Sequence, residues 1–154
     1  MGKVKAIKNA LVETIKDLQY EGAPAFTNVT DDTSSDFDSY PVARVLPAPD
    51  LMTNEKGAMS QNDRTVRFNV VVHAPLEDPT KIQSNVIDHM TDLADLLIDT
   101  FDIADYTDVL KAHDETLGVY IMSVPTVTLD PVDSKGSALL MLVATVEVEY
   151  SKDL

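Results

Sequence analysis

The stretch SALLMLVATVEVEY, residues 137 to 150, constrains what this chain can fold into more than any other. Side chains alternate between the two faces of a strand, so Ala138, Leu140, Leu142, Ala144, Val146, Val148 and Tyr150 share one face. Leu139, Met141, Val143 and Thr145 make the opposite face apolar too, until Glu147 and Glu149. Such a strand needs a core along one whole side and a cover over the first half of the other. That cover is either the chain's second helix or another copy of the protein.

The rest of the chain supplies partners for it. Gly118 to Leu129, interrupted by Pro125, reads as a strand joined to the last one through DPVDSKG, whose proline, aspartates and glycine form turns, so the two make a hairpin. Thr65 to Ala74 alternates cleanly: Val66, Phe68, Val70, Val72 and Ala74 face inward, and Thr65, Arg67, Asn69, Val71 and His73 lie opposite. Ala25 to Thr30 and Tyr40 to Leu46 are two further strands, the second starting at Pro41 or lying at an edge because proline cannot donate to a ladder.

Two stretches carry the helical period. Val4, Ile7, Leu11, Ile15 and Leu18 form one apolar stripe, and Gly22 and Pro24 stop that helix. A second helix is expected from Asp78 as N-cap and Pro79 at its first position to about Phe101, with Ile82, Val86, Met90, Leu93, Leu97 and Phe101 as its buried stripe. Asp102 to Thr116 fits a short helix or a loop. The order helix, three strands, helix, two strands predicts an α+β fold with a mostly antiparallel or mixed sheet and both helices on one face. The 154 residues suffice for a single domain, 1–154, that buries about 68 to 70% of its unfolded surface. Residues 47–64 exceed the ~12 to 15 residues beyond which structureless loops become uncommon, and read as a long loop or an extended hairpin.

Composition removes several function classes. With no cysteine there is no disulfide framework, thiolate zinc site or cysteine nucleophile. A net charge of −14 with three arginines argues against a nucleic-acid-binding surface. No apolar stretch approaches the roughly 20 residues of a membrane span, and the basic, amphipathic start lacks a signal peptide's unbroken apolar run, so a cytoplasmic protein is expected. The charge is uneven: residues 1–16 carry +3 and the remaining 138 carry −17.

Asp88, Asp92, Asp95, Asp99 and Asp102 step by four, three, four and three along the second helix, opposite its apolar stripe. Like charges at these spacings cost about 0.2 to 0.5 kcal/mol per pair. The stripe is a solvated helix face, an acidic lining that keeps a phosphate backbone from sticking in the hole of a ring, or a docking strip for Lys3, Lys5, Lys8 and Lys16 of a neighbouring copy. Asp31, Asp32, Asp36 and Asp38 lack the spacing of a calcium loop and read as a polar turn. His73, His89 and His113 are isolated, and there is no Gly-x-Ser-x-Gly and no glycine-rich phosphate loop. No catalytic, metal or cofactor site is therefore expected. In 47–64, Leu51, Met52 and Met59 stand among polar residues as an adaptable contact surface or as groups folded back on the sheet.

The opening KAIKNALVETIKDL, the central DPTKIQSNVIDHMTDLADLLIDTF and the closing SALLMLVATVEVEY occur in an order that resembles the tail terminator, or tail completion, proteins of long-tailed bacteriophages. The resemblance spans nearly the whole chain and rests on no short signature motif. It implies a non-enzymatic virion protein at the head–tail junction, assembled in the host cytoplasm. Such a protein forms a homohexameric ring on the tail tube, stops its polymerisation and presents a surface to the filled head, with DNA passing through the hole. The implied partners are further copies, the tube protein and a head-completion or neck protein. Lys5, Lys8, Leu51, Met52 and Met59 are the candidate contacts, and the aspartate stripe is the candidate lumen or docking strip. A head-closure or other neck protein is the first alternative, and a small acidic enzyme or ligand-binding module is the alternative of another class.

Overall fold

Helix α1 spans Lys3–Lys16 and buries Ile7, Ala10, Leu11, Thr14 and Ile15, with Val4 and Leu18 partly buried at its ends. Thr14, polar and buried, donates its hydroxyl to the Ala10 carbonyl at 2.7 Å, which satisfies it within the helix. This is a computed structural model, describing residues 2–33, 40–56, 61–76, 83–102, 110, 119–134 and 137–153. Behind α1, Glu21 (φ 52°) and Gly22 (φ 81°) both take positive φ and link the two-residue strands β1 (Gln19–Tyr20) and β2 (Ala23–Pro24). Two consecutive residues of this hand make the tight turn that matches strand twist, and glycine supplies one of them without steric cost.

The main sheet contains β3 (Asn28–Thr30), β4 (Val42–Lys56), β5 (Gln61–Pro75), β6 (Val119–Ser134) and β7 (Ser137–Asp153), in the order β3-β4-β5-β7-β6. Only β3 and β4 run parallel, so the sheet is mixed and the fold is α+β, as the element order indicates. Strand β3 is shorter than the predicted 25–30, because Ala25 and Phe26 enter the core ahead of it.

Residues 47–64 are not a loop over most of their length. Met52 to Lys56 pair with Val66 to Asn62, and the irregularity is a bulge between Pro47 and Met52. The polar, proline-bearing composition that suggested a loop is tolerated because β3 covers β4 only at Val42 to Arg44, so Pro47 and Pro49 lie on an edge where no ladder donor is missed. DPVDSKG is likewise mostly strand: Asp130, Pro131 and Val132 pair with Met141, Leu140 and Leu139, and pairing continues to Ser134 opposite Ser137. Pro125 falls in a second bulge, between Ser123 and Thr126.

Helix α2 spans Ser84–Phe101, with Gln83 in extended conformation (ψ 144°) as its N-cap. It therefore starts later than the Asp78–Pro79 signal predicts; Asp78, Pro79 and Ile82 lie outside the described residues, as does all of 103–116 except the fully buried Leu110. Both helices sit on one face, α1 against β3 and β4 and α2 against β6 and β7. Met90, Leu93, Leu97 and Phe101 of α2 meet Phe68, Val70, Leu142 and Val146 in one continuous core. This arrangement rules α2 out as the cover for Leu139, Met141 and Val143. Their neighbours Leu140 and Leu142 point into that core, so these three face the other way.

Candidate functional site

The stripe on α2 forms as the helical period requires: Asp88, Asp92, Asp95 and Asp99 are exposed, as is Asp102 at the C-cap. Two of the five are engaged. Tyr20 Oη donates to Asp92 Oδ2 at 2.7 Å, and its ring lies 4.9 Å from that of His89, so the β1–β2 turn is clasped to the helix. The hydrogen bond to the carboxylate holds the phenolic proton and pushes the Tyr20 pKa up to about 12, with burial and the charges of Asp92 and Glu21 adding to it. Asp102 Oδ2 accepts from the Val124 backbone N–H of β6 at 3.4 Å, which ties the helix end to the sheet edge.

The candidate contact residues fall into different settings. Lys5 is exposed. Lys8 Nζ lies 2.7 Å from Asp31 Oδ2, and this hydrogen bond and charge hold the Asp31 carboxyl below its usual range. Leu51 is partly buried against the core, so it serves packing; Met52, where the β4 ladder resumes after the bulge, is 40% exposed. Met59 lies outside the described residues. From the aspartate-rich loop, the Asp32 carbonyl accepts from Arg44 Nη1 at 2.7 Å; Asp36 and Asp38 are outside the described residues. Among the described residues no three His, Asp or Glu side chains come together as a metal site.

Two features escaped the sequence reading. The first is a polar network on the sheet face opposite α1 and α2, centred on Arg67. Its Nε lies 3.1 Å from Glu147 Oε1 and 3.7 Å from Asp50 Oδ2, and its Nη1 donates to the Asp50 carbonyl at 3.2 Å and to Thr53 Oγ1 at 2.9 Å. One guanidinium thus pins the β4 bulge to β5 and β7. The neighbouring row adds Thr145 Oγ1 donating to Asn69 Oδ1 at 2.8 Å. His73, half-buried on this face, has its pKa lowered by burial and then by the nearby Arg44 charge.

The second feature is an open cleft of about 380 Å³ between the end of the β4–β5 ladder and the first turns of α2. Tyr40, Pro41, Ala74, Pro75 and Val86 give it apolar walls, and Asn85 and His89 are its polar groups. Its walls come from three separated stretches of chain, and no spacing in the sequence announces their meeting. His113 is outside the described residues.

No family model and no curated protein matches this chain. A solved chain without a functional description is 17% identical to it, covering 94% of this chain and 91% of its own, with a TM-score of 0.41. So distant a likeness carries no argument about fold or role.

Proposed function

We propose that this chain is a tail terminator of a long-tailed bacteriophage: a structural protein of the head–tail junction, assembled in the host cytoplasm, whose copies close into a ring, with a hexamer expected, on the end of the tail tube. The observation that supports this reading best is the one-sided architecture. Both helices occupy one face of the sheet, and among the described residues the long edge strand β6, the exposed hairpin residues Met52 to Glu55 and the half-buried Arg67, Thr145 and Glu147 of the opposite face are left to meet other chains. The order of elements adds to it, through the resemblance carried by KAIKNALVETIKDL and SALLMLVATVEVEY.

The role is mechanical and involves no catalytic step or cofactor. One ring face complements the last ring of the tube, while the other refuses a further tube subunit and accepts a head-completion or neck protein; specificity comes from that mismatch. The edges suit such control. Pro47, Pro49, Pro125 and Pro131, the first three at bulges, interrupt the free backbone ladders, which limits indiscriminate strand addition.

The test is to add the purified chain to polymerising tube protein and image the products by electron microscopy. Tubes that stop short with added density at one end support the reading. Unchanged tube lengths with bare ends sink it, and binding to the head connector instead identifies a head-closure protein. The cleft at Tyr40 and His89 favours the alternative of a ligand-binding module; thermal stabilisation by a small aromatic ligand, abolished in His89→Ala, would move the reading there.

A further inference from the structure

The helices lie on the same face of the sheet but at opposite edges, α1 against β3 and β4 and α2 against β6 and β7. They also carry opposite charge. The four lysines and one glutamate of α1 sum to +3, whereas α2 holds Asp88, Asp92, Asp95 and Asp99 and no lysine or arginine. Tyr20 and His89 show which side of α2 faces inward along the layer, towards the β1–β2 turn that follows α1. At 100° per residue, Ile87 falls on the opposite flank, about 140° from Asp92, while Asp88, Asp95 and Asp99 crown the outer side of the helix between the two flanks; Asp102, bonded to the β6 backbone, shows that the Ile87 flank is the one nearer the sheet edge. Ile87 is 37% exposed there, and no described lysine or arginine forms an ion pair with an α2 aspartate.

The far edge is the complement. Lys8 reaches Asp31, just beyond β3, so its side of α1 faces the β3 edge; Lys5 and Lys16 are exposed on the same helix, and Lys16 also pairs with Glu13 at 3.2 Å. Asp31 offsets one of the three excess positive charges, leaving a helix that is still cationic. A contact joining opposite edges is heterologous, the kind that repeats head to tail and closes into a ring when the rotation permits.

We infer that the Ile87 flank of α2, with the aspartates that crown the helix beside it, is the docking surface for α1 of a second copy, so that the β6 edge of one subunit meets the β3–β4 edge of the next and the helical layer continues around the assembly. This deepens the ring reading and rests on it. Charge complementarity selects the pair: in a chain of −14, α1 is the strongly cationic element, and aligning it with α2 puts attraction where two copies would otherwise repel. Ile87 supplies an apolar contact within the acidic rim, and the proline-interrupted edges leave side chains, not a continuous strand ladder, to fix the fit.

Salt screens both the local attraction and the overall repulsion, so a salt series cannot isolate this contact; a charge exchange can. One variant carries Asp95→Lys and Asp99→Lys, the other Lys5→Glu and Lys16→Glu, all at exposed positions. Analytical ultracentrifugation is run on each variant, on their equimolar mixture and on the unaltered chain. The unaltered chain should self-associate, each variant alone should associate at least about tenfold more weakly, and the mixture should recover, because both alternating contacts then pair opposite charges. Variants that associate like the unaltered chain, or a mixture no better than its components, overturn the contact. An unaltered chain that stays monomeric up to about 1 mM, an affinity near the weak limit of specific association, also overturns it. Capping of tube ends is scored separately in the same preparations, so loss of this contact is distinguishable from loss of the terminator role.

Discussion

On the helix-bearing face of the sheet, Val66, Phe68, Val70, Leu142, Ala144, Val146 and Val148 are no more than 2% exposed. On the opposite face of the same two strands stand Thr65, Arg67, Asn69, Thr145, Glu147 and Glu149, all half-buried and joined across the ladder by Arg67–Glu147 and Thr145–Asn69. The first face gains stability from the removal of apolar surface from water, which is large and indifferent to direction. The second gains little net energy from each polar pair but specifies which residue lies opposite which. The strands are thus stabilised from one side and held in register from the other, the open face, on which neither α1 nor α2 lies.

The largest break in this comparison should come from Phe68→Ala, which should cost about 3 to 5 kcal/mol in denaturant unfolding. Truncating Val143 to Ala on the open face should cost less than about 1 kcal/mol. Similar losses at the two sites would mean that the open face is covered in the free chain. Arg67→Met comes next, at about 1 to 3 kcal/mol, since it leaves Glu147 unpaired and releases the Asp50 carbonyl and Thr53; amide exchange in 48–53 should quicken. Combining it with Glu147→Gln should reveal a coupling of about 0.5 to 1 kcal/mol, and strict additivity would show that the two do not act together.

The smallest effect is a pH dependence. Burial and the Arg44 charge lower the His73 pKa in the folded chain, so folding favours the neutral ring. That stability is complete above the unfolded value of 6.5 and is lost as pH falls through the lower folded value. His73→Gln should flatten the stability profile in that window; an unchanged slope would assign the acid sensitivity to other groups.

Much of the closed face was legible beforehand. Ile7, Leu11 and Ile15, Met90, Leu93 and Leu97, and the even-numbered residues of β5 and β7 lie inside because helical and strand periods are local properties of the chain. The same period placed the α2 aspartates outside. The open face was readable only as composition. Arg67 and Glu147 are 80 residues apart, and the Pro47–Met52 bulge that brings Asp50 and Thr53 to the same guanidinium exists only in the β4–β5 register. The start of α2 was misplaced because Asp78–Pro79 satisfies the local rules for a helix start, while the extended Gln83 sets the N-terminus observed.

By itself the sequence determined the class of fold, the two apolar helix stripes, the inward faces of β5 and β7 and the sign of charge on each helix. Each of these follows from the spacing of side chains along a single element. Only the tertiary structure decided that 47–56 is a strand, that the two helices stand at opposite edges of the face they share, and that Leu139, Met141 and Val143 turn away from them. It also created the cleft beside His89. These outcomes depend on pairing between segments far apart in the chain, where many registers satisfy the same local pattern and the packing of the whole core selects one.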